Sequence, residues 1–137
     1  MVTATPYGLG FITLTLKAMD QLTAQEIHQL AMQEVGDHLE AAGYEFLGVN
    51  SQLKRNPQFV CVKEKQLYFV LVQGTLYPHA PTKFDPDLVE KVHEHAKKNN
   101  AQLYLAGVGF AHAENYDAPL TKKKPYAVNF QGLEAVH

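Results

Sequence analysis

The chain has 137 residues, of which 46% are hydrophobic and 19% are charged, and its formal net charge is −2. These values predict one folded domain with its own hydrophobic core and exclude an intrinsically disordered chain. The lack of a basic excess excludes a protein that binds nucleic acid through its overall charge, but it leaves a local basic patch open.

Residues 1–22 are expected to form an extension ahead of a single domain over residues 23–137. Residues 8–16 are uncharged and mostly apolar. They are far fewer than the about 20 residues of a membrane helix, and no basic region precedes them as in a signal peptide. They would suit an additional edge strand or a loose tail, and Met19 is an alternative start of the protein.

The first helix is predicted by its capping residues. Thr23 and Glu26 have the spacing of a capping box, in which each side chain accepts a hydrogen bond from the backbone amide of the other residue. Apolar residues follow at helical spacing as far as Gly43, a residue typical of the position just beyond a helix end. We therefore predict a helix over residues 24–42.

Three strands are predicted after this helix. Residues 44–49 form the first, and a polar loop with Lys54 and Arg55 follows it. Residues 59–62 and 67–72 are apolar runs joined by four polar residues, which predicts a hairpin. The last of these runs hardly alternates between apolar and polar residues, so we expect a central strand that is buried on both faces.

Cys61, the only cysteine, lies within the hairpin. A single thiol can form no disulfide within the chain, which fits a cytoplasmic location, and it cannot supply the four ligands of a cysteine-based zinc or iron–sulfur site. Because its neighbours are apolar, we expect a buried and inert thiol.

The second half of the chain adds one helix and two strands. A loop over residues 74–84 contains two prolines, and Asp85 and Pro86 then have the positions of a helix N-cap and first helical residue. Strands are predicted over residues 103–110 and 126–130. The fold class is therefore α+β, with one mixed sheet between two helices on opposite faces and the order α-β-β-β-α-β-β.

Gly107 and Gly109 stand near the end of a predicted strand, as in a dinucleotide-binding loop. The third glycine of that motif is missing, and no clear helix follows. We interpret these glycines as positions where another backbone comes close.

The order of elements resembles the core of the PD-(D/E)XK nuclease superfamily, in particular its small bacterial resolvase-like branch. In that branch the first helix ends with a leucine, three residues and Gly-Tyr, as Leu39, Gly43 and Tyr44 do here. Asn50 follows the first strand, as in that branch. The resemblance covers residues 24–112 and implies a restriction-endonuclease-like core.

Enzymes of this family cleave phosphodiesters with a divalent cation held by acidic oxygens and with a lysine that supports the charged transition state. The resemblance puts the glutamate of the first helix near Met32 and the aspartate of the hairpin at Gln58 or Phe59. It puts the second glutamate at Leu71 and the lysine at Gln73. None of these residues can fill the family's role, so we expect no catalytic residue, no metal site and a protein-binding or structural module.

Two alternatives stay open. Glu34 and Asp37 on the first helix could serve as relocated ligands of a nuclease. The basic residues Lys54 and Arg55 could instead bind nucleic acid together with the three lysines at 122–124, provided that both loops lie on one face.

Three further residues, Tyr77, His79 and His112, are candidate binding residues, and a pocket near them could instead carry an unrelated enzymatic activity. The seven histidines show no metal-ligand spacing, so we expect scattered surface histidines. The strand over residues 126–130 could leave an exposed edge through which the chain forms a homodimer.

The stretch from Tyr44 to Tyr77 also resembles short Bacteroidetes proteins that are often named as a component of the sodium-translocating NADH:quinone reductase. That name implies a [2Fe–2S] domain together with flavin and NADH domains. A chain with one cysteine cannot supply the four ligands of the cluster, and 137 residues leave no room for two nucleotide domains. We therefore expect no cofactor.

Overall fold

The computed structural model of the protein describes residues 21–122 and 124–137. Two helices, α1 (Ala24–Ala41) and α2 (Pro86–Lys98), lie on a six-stranded sheet. The strands are β1 (Glu45–Val49), β2 (Phe59–Lys63), β3 (Gln66–Leu76), β4 (Ala101–His112), β5 (Tyr126–Phe130) and β6 (Glu134–Val136). The predictions for residues 8–16 and for Met19 lie outside the described residues.

The α+β class and the predicted order of elements are confirmed, and the short strand β6 is an addition to them. The sheet order is β1-β2-β3-β4-β5, with β6 also paired to β4. Only β3 and β4 run parallel, and the other described pairs are antiparallel, so the sheet is mixed. The connection between the two parallel strands carries α2, as parallel pairing requires a crossover.

One predicted boundary needs correction. The loop predicted over residues 74–84 starts later, because β3 continues to Leu76 along its parallel partner β4. At the end of the predicted extension, Gln21 forms an antiparallel bridge with Thr121 and Leu22 packs against the core.

Both helices begin at the predicted capping residues. In α1, the Thr23 hydroxyl accepts from the Glu26 amide at 3.1 Å, and the Glu26 carboxylate accepts from the Thr23 amide at 2.9 Å. In α2, the Asp85 carboxylate accepts from the Asp87 amide at 3.0 Å. These bonds satisfy amides that have no partner within the helix.

Hydrophobic clusters lie on both faces of the sheet. The cluster under α1 includes Val70 and Val72 of β3, and the cluster under α2 includes Leu71, because successive side chains of a strand point to opposite faces. The central strand is thus buried on both faces, as predicted. Cys61 is also buried, and burial raises the pKa of its thiol to about 11, which makes it a poor nucleophile at neutral pH.

Close backbone approaches explain two glycines of the sheet. A Cβ atom at Gly74 would lie 3.0 Å from the carbonyl oxygen of Ile27, so this glycine lets α1 lie directly on β3. A Cβ atom at Gly107 would lie 2.6 Å from the carbonyl carbon of Pro81, so the loop after β3 crosses β4 at contact distance. The second approach agrees with the interpretation of Gly107, although that glycine lies inside β4.

Candidate functional site

One cavity of the described chain lies under the first turns of α1, beside the second half of β3. Its volume is about 330 Å³. The loop between β1 and β2 and the start of α2 form its other walls. It is lined by Ala24, Ile27, His28, Leu53, Lys54, Asn56, Gln58, Leu71, Val72, Gln73, Gly74, Thr75, Leu76, Phe84 and Leu88.

Three of the five positions that the nuclease resemblance singles out line this cavity, namely Gln58, Leu71 and Gln73. The other two, Met32 and Phe59, do not. They line a separate groove between α1 and β1. Gln58 and Phe59 are the two candidates for the position of the hairpin aspartate. Of these, Gln58 lies at the same cavity as Leu71 and Gln73.

The Gln58 side chain extends the pairing of β2 and β3. Its Oε1 atom accepts a hydrogen bond of 2.7 Å from the Val72 amide, and its Nε2 atom donates to the Arg55 carbonyl and to Asn56 Oδ1. Gln58 is only 2% exposed. Val72 lies two residues beyond Val70, the partner of the first residue of β2, so the glutamine side chain takes the place of a ladder partner.

The Gln73 amide group has a similar role on the other side of the cavity. Its Nε2 atom donates to the Pro81 carbonyl at 3.0 Å and to the Lys83 carbonyl at 3.1 Å. Both of its N–H groups are therefore used to hold the loop between β3 and α2. The amide is bound to the protein's own backbone and is not free to contact a phosphate.

None of the described residues that line the cavity is an aspartate or a glutamate. Asp37 lies at the other groove, is exposed and accepts a hydrogen bond from Gln33 at 2.9 Å. Glu34 is partly exposed and lines neither space. Within the described ranges, no three histidine, cysteine or acidic residues stand close enough together to hold a metal ion. The cavity thus lacks the anionic oxygens that a hard divalent cation needs.

His28 is the cavity residue that sequence reasoning missed. The prediction of surface histidines is wrong for this residue, which is 3% exposed on the sheet-facing side of α1. Its Nε2 atom is buried and has no hydrogen-bond partner in the part of the chain that the structure describes. The helical spacing of His28 with Met32, Val35 and Leu39 is the sequence signal that could have revealed it.

We expect His28 to make the fold less stable in acid. Burial lowers the pKa of His28 below its ordinary value of 6.5 because the charged imidazolium loses its hydration. The unfolded chain therefore binds a proton at a higher pH than the folded chain. The contribution is fully present above about pH 6.5 and is lost as the pH falls towards the folded-state pKa.

Urea unfolding at pH 7.5 and at pH 5.5 measures this effect. The fall in the free energy of unfolding between these two conditions should be smaller for His28→Leu than for the unchanged protein. His137→Gln is the matched control, because His137 is exposed near the end of the chain. An equal fall in all three proteins would contradict the assignment to His28.

The basic candidates lie around the same end of α1. Lys54 lines the cavity, and Arg55 follows it in the same exposed loop. The Gln25 side chain holds this loop, with its Nε2 donating to the Ser51 carbonyl and its Oε1 accepting from the Leu53 amide, both at 2.9 Å. The Nζ atom of Lys122 lies 3.6 Å from Glu26 in the first turn of α1. Lys123 is outside the described residues.

The remaining candidates are brought together beside β5, around spaces other than this cavity. Tyr77 and His79 line a groove of about 310 Å³ together with Tyr116 and Val128. His112 lines an adjoining smaller space that Tyr77 and Tyr116 also border. The rings of Tyr77 and Tyr116 lie 5.5 Å apart. The three predicted residues thus belong to one surface, which we call the tyrosine groove.

Residues 25–136 match the family DUF8840, which is described as a domain of unknown function. The chain belongs to this family. The match covers every helix and strand of the described fold except the first residue of α1, so the family domain and the folded domain coincide. No curated protein and no solved structure matches the chain. Among the described helices of this DUF8840 domain, none is long and apolar enough to cross a membrane.

Proposed function

We propose that this DUF8840 domain is a non-catalytic binding module that keeps a nuclease-like sheet without its metal site, and that it associates with a second copy of itself through β5. The observation that carries the first part is the hydrogen bonding of Gln58 and Gln73. The resemblance puts both amides where charged catalytic groups would be required, and both form hydrogen bonds to the protein's own backbone. The buried thiol supports a cytoplasmic location.

Leu71 strengthens this interpretation. It is 1% exposed and belongs to the hydrophobic cluster under α2. A metal-binding glutamate at this position would place a carboxylate against apolar side chains, and a hydrocarbon side chain supplies no oxygen for a cation. At these positions a core leucine and two glutamines that bond to the backbone would replace the catalytic residues. Such replacements remove the catalytic site but keep the sheet intact.

Metal binding and cleavage test the loss of catalysis. We expect no Mn²⁺ binding in a titration followed by electron paramagnetic resonance. We also expect no cleavage of single-stranded, duplex or branched DNA in the presence of Mg²⁺ or Mn²⁺. Metal-dependent cleavage that disappears in Glu34→Ala or Asp37→Ala would show a nuclease with relocated ligands and would overturn the proposal.

The outer edge of β5 supports self-association. Within the described sheet β5 is the last strand, and the Ala113 amide donates to the Pro125 carbonyl at its start. Hydrogen bonding alternates along an antiparallel pair, so the backbone groups of Tyr126, Val128 and Phe130 point away from β4. A second copy can pair with them around a two-fold axis at Val128.

The composition of β5 favours such pairing. The strand contains no charged residue and no proline, the features that usually protect a sheet edge. Tyr126 and Val128 are 39% and 40% exposed, beside the exposed rings of Tyr77 and Tyr116. The opposite edge is different, because a bulge around Leu47 disturbs the pairing of β1.

The size of the assembly in solution, measured by light scattering after gel filtration, tests this contact. We expect a dimer for the unchanged chain and a monomer for Val128→Lys, because two lysines would face each other across the axis. Val49→Lys, at an exposed position of β1, is the matched control and should stay dimeric. A wild-type monomer at all concentrations would remove self-association from the proposal.

The convergence of two basic loops on α1 favours a second candidate function, the binding of nucleic acid without cleavage. Lys54 and Lys122 both lie at the first turn of this helix. If this surface binds phosphates, a gel shift should weaken with added salt and weaken further in a Lys54→Gln, Arg55→Gln variant. The same two substitutions at Lys97 and Lys98 of α2 are the control. An unchanged gel shift in both double variants would rule out nucleic-acid binding by this surface.

A further inference from the structure

We propose that the cavity under α1 binds a small carboxylic acid with an apolar tail, with His28 and Lys54 contacting the carboxylate and the apolar walls contacting the tail. This proposal assigns the domain a small-molecule ligand, which neither self-association nor nucleic-acid binding requires. It rests on the shape of the cavity, on one unpartnered buried side chain and on the charge of the lining.

The walls of the cavity suit an apolar tail. Its volume of about 330 Å³ lies at the lower end of the roughly 300–1,000 Å³ that is usual for ligand sites. Leu71 and Val72 come from the sheet, and Ile27, Phe84 and Leu88 come from the two helices and the loop before α2. An apolar ligand tail that binds here would move from water to an apolar surface, which is favourable.

His28 marks the polar end. The residue is only 3% exposed, and its buried Nε2 atom has no hydrogen-bond partner among the described residues. A buried polar atom is unfavourable unless it is hydrogen-bonded, and native structures rarely keep one without a reason. A carboxylate oxygen of a ligand would accept a hydrogen bond from this nitrogen and so remove the deficit.

The charge of the site selects an anion. Among the described residues of the lining, Lys54 is the only lysine or arginine, and none is an aspartate or glutamate that would oppose it. Ala24, the first residue of α1, also lines the cavity, so the positive end of the helix dipole faces the same space. A cationic ligand would meet only repulsion from these groups, whereas a carboxylate is complementary to them.

Isothermal titration of the full chain with three probes separates the two halves of the proposed ligand. Octanoate carries both the charge and the tail, octanol carries the tail alone, and inorganic phosphate carries the charge alone. We expect octanoate to bind at least tenfold more tightly than either of the others. Octanol binding as tightly as octanoate would overturn the role of the carboxylate, phosphate doing so would overturn the role of the tail, and no binding of octanoate would overturn the whole proposal.

Two substitutions locate the site. His28→Leu and Lys54→Gln should each weaken octanoate binding at least tenfold, while Lys98→Gln on the exposed end of α2 should leave it unchanged. Lys54 is exposed, so its replacement tests the site even if His28→Leu disturbs the packing of α1. In the unchanged protein, octanoate should shift the imidazole nitrogen resonances of His28. Wild-type affinity in both variants, or resonances of His28 that octanoate leaves in place, would show that octanoate binds elsewhere.

Discussion

Replacing Gly107 with alanine is expected to lower the free energy of unfolding by about 3 kcal/mol or more, at the upper end of the usual effects of overpacking. The added Cβ would lie 2.6 Å from the carbonyl carbon of Pro81 and would also meet its oxygen. These are backbone atoms of a crossing loop, so no side-chain rotation can relieve the overlap.

The surroundings make this position less tolerant still. Gly107 lies in β4 beside its parallel partner Gln73 and is buried. Any movement of Pro81 away from the new methyl group would also stretch the hydrogen bond that its carbonyl accepts from Gln73. The clash and the loss of this bond therefore both lower the stability of the fold.

Urea unfolding followed by circular dichroism measures the effect. Gly48→Ala is the matched control, since a Cβ atom at Gly48 would have no neighbour nearer than Val60 at 3.8 Å. We expect the control to stay within about 0.5 kcal/mol of the unchanged protein. If Gly107→Ala were as stable as Gly48→Ala, the close crossing of the loop over β4 would be incorrect.

Replacing Gln58 with leucine should lower the free energy of unfolding by about 2–4 kcal/mol, because it leaves a buried backbone amide without a partner. The Val72 amide donates to Gln58 at 2.7 Å, and Val72 is 5% exposed. Leucine is similar in size and more apolar, so packing alone predicts little loss. The expected destabilisation therefore comes from hydrogen bonding.

Hydrogen exchange of the Val72 amide gives a direct readout. It should become faster in Gln58→Leu by more than the global loss of stability explains. Gln33→Leu is the control, because Gln33 is exposed on α1 and bonds only to Asp37 among the described side chains. Unchanged protection of Val72 would mean that Gln58 does not act as a ladder partner, and would weaken the argument that its amide is unavailable to a ligand.

Much of the local structure could be predicted from neighbouring residues. The capping box of α1 and the Asp85-Pro86 start of α2 depend on contacts within three residues, and both are present in the structure. The central strand followed from its unbroken apolar run. The end of β3 was misplaced because Gly74 and Thr75 are residue types common in loops, whereas ten residues of pairing with β4 keep them extended.

The candidate site was predictable only in part. The sequence singled out Leu71 and Gln73, which line one cavity, and its expectation of no metal site stays a prediction. It could not predict which of Gln58 and Phe59 would lie at that cavity, since adjacent strand residues point to opposite faces. It also missed His28, whose burial depends on how closely α1 approaches the sheet at Gly74.

The sequence by itself determined the α+β class and the order of the predicted elements, because caps and apolar periodicity act over a few neighbouring positions. Only the tertiary structure decided where the Gln58 and Gln73 amides bond, that His28 faces a cavity, and that Tyr77, His79 and His112 border one surface. These features depend on contacts between residues far apart in the chain, and their partners are set by packing distances of a few ångströms that no local pattern encodes.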